Sequence, residues 1–185
     1  MAKKSVKKGA KKVFYEVHAP LTSERVELLS DDPEKLVGRK VLLDLTKSLR
    51  GKNLELRLLV QKEGEKLVGV PVEVRLVQGY VKKAVRKGTD YSEDSFVCEC
   101  RDKRVRIKPL LVTRSRVSRA VLRALRNKAR EFLTGYVKTK TAEELVKEII
   151  ANRLQRQMLP KLKKIYPLSV CEVRVFKVVG EKSGG

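Results

Sequence analysis

The sequence predicts an α+β fold with an antiparallel, β-barrel-like core, flanking amphipathic helices and a C-terminal strand. Three observations carry that expectation. Short alternating apolar segments fill the chain up to residue 113, the hydrophobic period then lengthens to that of a helix, and alternation returns near the C terminus. Strands this short and numerous, with little helix between them, favour an antiparallel sheet curled toward a small barrel.

The first structured segment is VFYEVHAP (13–20), rich in β-branched and aromatic residues and closed by a proline. SDDPEKLVGRK (30–40) reads as one helical turn, with Asp32 as N-cap, Pro33 at the first helical position and Gly38 as the stop. Its acidic residues Asp31, Asp32 and Glu34 have no histidine or cysteine nearby, so capping explains them better than a metal. In NLELRLLV (53–60), Leu54, Leu56, Leu58 and Val60 share one face, and Gly64 supplies the following bend. VPVEVRLVQ (70–78) alternates again, with Val70, Val72, Val74 and Leu76 expected inward, and Pro71 places this strand at an edge or a bulge.

YVKKAVRKG (80–88) has the look of a short basic helix closed by Gly88. SFVCEC (95–100) and RVRIKPLLV (104–112) form a hairpin. Beyond Thr113, a period of 100° per residue gathers Val117, Val121, Ala124, Leu125 and Phe132 on one side of a helix. A second helix starts in TAEELVKEII (141–150), where Thr141 and Glu144 make a capping box. It is expected to continue through NRLQRQML to an interruption near Pro160, before the last strand VCEVRVFKV (170–178). The expected core includes Leu54, Leu56, Val72, Val74, Val121, Leu125 and Ile149. The organisation is then a disordered basic arm (1–12), one domain (13–179) and a flexible tail (180–185).

Charge decides what such a domain meets. Lys and Arg number 44 against 22 Asp and Glu, a formal net charge of +22. That much repulsion destabilises a compact chain and is relieved when a polyanion binds. Residues 101–130 hold twelve basic side chains and one acid, Asp102, which is half of the chain's excess charge. Basic runs on helices normally carry glutamates as i,i+4 partners, and here those partners are missing.

Arg116, Arg119, Arg123, Arg126 and Arg130 fall opposite the apolar face, within about a quarter-turn of one another. Arginine suits bidentate phosphate contacts. With Arg104, Arg106, Lys108 and Arg114 just before them, these residues are the expected RNA-binding set. The arm adds Lys3, Lys4, Lys7, Lys8, Lys11 and Lys12. Contacts of this kind position a nucleic acid without reading its sequence.

Other chemistries find little support. Three cysteines are an odd set that suits reduced thiols in a cytosolic setting. Cys98 and Cys100 sit two apart on one strand face, and with only Cys171 and His18 left they lack a zinc-ligand pattern. His18 reads as a strand-end residue. Trp is absent and Phe and Tyr total nine, so base stacking is not the main mode of binding. No run of 18 apolar residues occurs, and no apolar segment follows the N-terminal lysines as a signal peptide requires. No phosphate-binding glycine loop, nucleophile elbow or paired-carboxylate arrangement is present, so no catalytic residue, metal or cofactor is assigned. Charge alone would also fit a DNA-compacting protein, which competition between duplex DNA and structured rRNA fragments separates from an RNA binder.

Five segments together, FYEVHAP, DDPEKLVGR, VRKGTD, RVRIKPLLVTRSR and KKIYPLSVCEVRVFKV, resemble in the same order the small-subunit ribosomal protein family one of the archaeal and eukaryotic series, also called the three-A-e family. The resemblance spans roughly residues 13–179. The lysine-rich start fits it, and the short C-terminal end is more like archaeal members than the longer eukaryotic ones. Phe14-Tyr15 stands where members commonly carry Trp-Tyr. The resemblance implies a cytoplasmic, ribosome-bound structural component of the small-subunit platform, near the mRNA exit and the 3′ end of the rRNA. It further implies small-subunit rRNA and neighbouring platform proteins as partners, mRNA near the exit as another, and no enzymatic role.

Overall fold

The computed structural model describes residues 12–22, 26–47, 49, 53–64 and 66–181. Lys3, Lys4, Lys7, Lys8 and Lys11 of the expected arm lie outside the described residues, as does most of the tail. The strands are β1 (Val13–His18), β2 (Val26–Ser30), β3 (Lys40–Asp44), β4 (Leu54–Glu63), β5 (Lys66–Leu76), β6 (Tyr91–Glu93), β7 (Phe96–Glu99), β8 (Lys103–Thr113) and β9 (Leu168–Glu181). The helices are α1 (Gln78–Ala84), α2 (Arg119–Val137), α3 (Ala142–Ile150) and α4 (Arg153–Lys163). The α+β class stands. β2, β3 and β6, which the sequence did not announce, join the expected strands.

The chain divides into two compact units, Met1–Val41 with Leu58–Val70, and Leu42–Arg57 with Pro71–Gly185. In the first, β1 pairs antiparallel with β2 and parallel with β5, through Val17↔Leu67 and His18↔Val68. Gly64, at φ 62°, makes the turn after β4. Gly69 is needed for a different reason, because a Cβ there would sit 2.9 Å from Leu58 Cδ1. Pro33–Leu36 form a 3-10 turn and Gly38, at φ 83°, ends it. Asp32 occupies the N-cap position without a side-chain capping bond. Asp31 holds the turn instead, its carboxylate 2.5 Å from Lys35 Nζ.

In the second unit the later residues of β5 pair antiparallel with β9, β9 with β8, and β8 with both β6 and β7. The pairing is thus mixed across the chain. No described strand pair closes it into a barrel, so the barrel-like expectation gives way to open sheet. The alternation of β4 is as expected, with Leu54, Leu56, Leu58 and Val60 buried. That of β5 is not. Leu67, Pro71 and Glu73 are buried alongside Val74 and Leu76, whereas Val70 and Val72 are half-buried. The inward face changes between Glu73 and Val74, adjacent residues that are both buried.

Helix α2 begins at Arg119, with Ser118 as N-cap accepting from the Val121 N–H, so Arg116 and Val117 precede it. Its buried side chains are Leu125, Ala129, Leu133 and Val137. Steps of four residues advance about 40° each, so the buried stripe winds around the helix as its neighbours change from β6 and β7 to α4. Ala124, expected inside, is therefore exposed, and Val121 and Phe132 are half-buried. The capping box is formed, with Thr141 Oγ1 accepting from the Glu144 N–H and Glu144 Oε2 from the Thr141 N–H.

The interruption after α3 falls at Asn152, in the left-handed region at φ 64°, and not at Pro160, which lies inside α4. Asn tolerates that conformation; a proline within a helix removes one backbone hydrogen bond and need not end it. Because Leu125 is fully buried at the start of the stripe, Leu125→Ala should cost roughly 2–5 kcal/mol. Urea unfolding should show it as a lower midpoint with an unchanged slope.

Candidate nucleic-acid interface

The passage from β8 into α2 is built around Thr113, a fully buried hydroxyl. Its Oγ1 accepts from the Asp90 N–H at 3.1 Å and lies 2.9 Å from the Asp90 carbonyl and 2.7 Å from that of Ser115, to either of which it can donate. Asp90 Oδ2 in turn accepts from the Val117 N–H at 2.8 Å. The turn carrying Arg114 and Arg116 is thereby tied to the loop before β6, and α2 leaves the sheet in a set direction.

Along that helix Arg119, Arg123, Arg126 and Arg130 are all exposed and occupy about 60° of arc. Arg119, Arg123 and Arg126 line an open groove of about 300 Å3, with Tyr91, Ser92 and Glu93 of β6 also lining it, the last held by Arg174. Among the described residues no carboxylate pairs with Arg119 or Arg123. Arg126 acts on Asp94 only through its field, which helps to lower that residue's pKa.

Arg130 differs from its neighbours. Its Nε and Nη2 contact the two oxygens of Asp94 at 2.9 and 2.8 Å, and its guanidinium lies 5.4 Å from the centre of the Phe96 ring. Burial alone would raise the Asp94 carboxyl, but hydrogen bonds from Arg130 and from the Ser95 N–H outweigh it and hold the group below the ordinary range. Two further arginine clusters are satisfied in the same internal way. Glu73, almost fully buried, accepts from Arg57 at 2.9 Å and Arg75 at 2.8 Å, and Arg174 Nη1 reaches both oxygens of Glu93 at 2.6 Å.

Asp102, the single acid of the 101–130 stretch, is also occupied. It accepts from the Ala142 N–H at 2.9 Å, where a carboxylate complements the N-terminal end of α3.

The remaining expected residues are dispersed. Arg104 and Arg106 are exposed on β8, alternating with buried Val105 and Ile107. Lys108 lines a separate groove with Arg75, Glu93, Asp94 and Arg174, where cations and anions are mixed. Arg114 lines a third cleft against α4, and Lys12 is exposed just before β1.

The sequence reasoning expected helix through NRLQRQML but passed over the basic residues of α4 as part of the site. Arg153, Arg156, Lys161, Lys163 and Lys164 are exposed there or just beyond its end. The signal was available, since no acid occurs between Glu148 and Glu172. Cys98 is pushed up to about 11, and Cys100 and Cys171 to about 12, burial being the first cause of each, so these thiols stay protonated. Among the described residues no cluster of His, Cys, Asp and Glu is placed to hold a metal ion.

Residues 1–182 match the Ribosomal S3Ae family. The chain belongs to that family. It is 29% identical over 176 residues to the small ribosomal subunit protein eS1 of Nanoarchaeum equitans, covering 90% of this chain and 88% of that one. To the protein of the same name from Desulfurococcus amylolyticus it is 28% identical, covering 91% and 83%. To that of Halorubrum lacusprofundi it is 27% identical, covering 94% and 85%. Two of the segments that first suggested the S3Ae family, VRKGTD and RVRIKPLLVTRSR, are the ones that Asp90 and Thr113 join.

The Asp94–Arg130 pair has a testable pH signature. The folded chain holds the Asp94 proton less tightly than the unfolded chain does. Its stabilisation is therefore complete above the ordinary carboxylate range and is lost as pH falls through that range. Asp94→Asn should be less stable than the parent near neutrality, and the gap should narrow below about pH 4. Thermal melts across that range measure it; a constant gap would assign the effect to packing.

Proposed function

We propose that this chain is a structural constituent of the small ribosomal subunit, bound there in the cytoplasm to rRNA. Membership of a ribosomal family and archaeal relatives named as small-subunit proteins support the subunit. The chain acts as a scaffold and not as an enzyme. The observation that carries the mode of binding is the outer face of α2, where exposed Arg119, Arg123 and Arg126 share a groove whose acid, Glu93, is engaged by Arg174.

Guanidinium groups so placed bind the phosphates of packed rRNA helices, with Arg104, Arg106, Arg114, Arg116 and the N-terminal lysines extending the contact. Arg130 contributes chiefly by bracing α2 against β7, and Lys108 stands in a groove already neutralised in part. In this reading the protein lies on the platform near the mRNA exit, beside neighbouring platform proteins, as the family resemblance implies.

Arg119→Glu with Arg123→Glu should abolish stable incorporation, leaving the chain at the top of a sucrose gradient instead of with the small subunits. In binding to a structured RNA, neutralising the same two positions with Gln should lower the steepness of log affinity against log salt by roughly 2, at about 0.9 per phosphate contact. Normal incorporation together with an unchanged salt slope would overturn the assignment of this face.

A further inference from the structure

The cleft that receives Arg114 is built from α4, the start of β9 and one residue of α1. Asn152, Gln155, Arg156, Leu159 and Lys163 form a single stripe along α4 and face Leu168–Glu172, with Tyr80 at one end. Its volume is about 370 Å3, at the small end of the range for ligand pockets and more than tenfold the volume of one water molecule.

Gln155 sits in its wall, 3% exposed. The amide nitrogen donates to the Ile149 carbonyl and to Glu172 Oε2, both at 3.2 Å, which fixes which end of the amide is oxygen. That oxygen, Oε1, is shielded from solvent and has no hydrogen-bond partner, so a donor meets it only as the wall of the cleft gives way; only Thr22 Oγ1 shares this condition among the buried side-chain atoms of the described residues. A buried acceptor left unpaired is a standing cost that an incoming donor removes.

The cleft has three distinct requirements. Gln155 Oε1 and the Glu172 carboxylate, which can accept from several donors at once, call for a ligand edge carrying adjacent N–H groups. Arg114, Arg156 and Lys163, exposed and with no acid paired to them among the described residues, call for a phosphate. Tyr80, half-buried, offers an aromatic ring beside the first set. Burial and then the Glu172 charge push its hydroxyl up, so it remains a neutral donor.

Guanosine phosphate meets all three, since guanine presents N1–H and the N2 amine side by side, whereas adenine sets an acceptor next to its amine. Inside a duplex that edge is already paired, so the nucleotide must be unstacked. We propose that this cleft takes one unstacked guanosine of the bound RNA, its base edge donating to Gln155 and Glu172 and its phosphate held by Arg114, Arg156 and Lys163. The inference rests on the RNA-binding reading above and adds a base-selective contact to an otherwise sequence-blind surface.

The test uses the full-length chain and an RNA hairpin with one bulged position, made as guanosine, adenosine or an abasic site, beside the same hairpin without a bulge. The bulged guanosine should bind about tenfold tighter than the abasic form, as stacking and paired donors together allow. It should also bind tighter than adenosine, and Gln155→Leu should bring the guanosine-to-adenosine ratio close to one. Equal affinity for all three bulges overturns the proposal, and that comparison stands even if Gln155→Leu fails to fold. Guanosine 5′-monophosphate binding as tightly as the bulged hairpin overturns the assignment to RNA and leaves a free-nucleotide site. Failure of the unmodified chain to bind any hairpin would instead sink the RNA-binding reading itself.

Discussion

Carboxylates in this protein are placed where arginine meets the packed framework, and none stands on the face of α2 that carries Arg119, Arg123 and Arg126. Glu73 neutralises Arg57 and Arg75, Glu93 neutralises Arg174, and Asp94 neutralises Arg130. Each of these acids lies in or beside a strand, and each lets a guanidinium rest against the sheet without stranding a charge. Asp102, the one acid of residues 101–130, is drawn off to the first turn of α3, and Glu131, next to Arg130, pairs with Lys128. What remains on α2 is a set of like charges held by a folded scaffold that tolerates them and does not quench them. That imbalance is the constraint around which the rest is arranged.

The scaffold makes the imbalance possible. Leu125, Ala129, Leu133 and Val137 anchor α2 from its second turn to its C-terminal end, and burial of apolar surface is indifferent to the charges on the other side. At the other end of the loop, Thr113 and Asp90 fix where the helix starts. The helix itself sets the spacing of its arginines; pinned at both places, it cannot turn them away, and it presents them on one side.

Much of this was legible in the sequence, and the exceptions have physical causes. β4 was readable because its two faces differ cleanly. β5 was not, because a buried, doubly paired Glu73 looks like a surface residue until Arg57 and Arg75 are seen against it. Ala124 was misplaced because a straight apolar stripe was assumed where the i+4 spacing winds around the helix. The end of α3 was assigned to Pro160, since proline is the louder signal, yet Asn152 in a left-handed conformation ends the helix first. At the candidate interface the composition pointed to α2, whose arginines are exposed, but could not show that Arg130 is already engaged. It also passed over α4, whose basic residues are spread more thinly along the chain.

The most direct measurement is electron cryomicroscopy of small subunits that have incorporated this chain, at a resolution that shows side chains. The account predicts RNA backbone lying along α2, with the guanidinium groups of Arg119 and Arg123 about 2.7–2.9 Å from phosphate oxygens. It would be contradicted by finding that face open to solvent, or covered by protein, in the assembled particle.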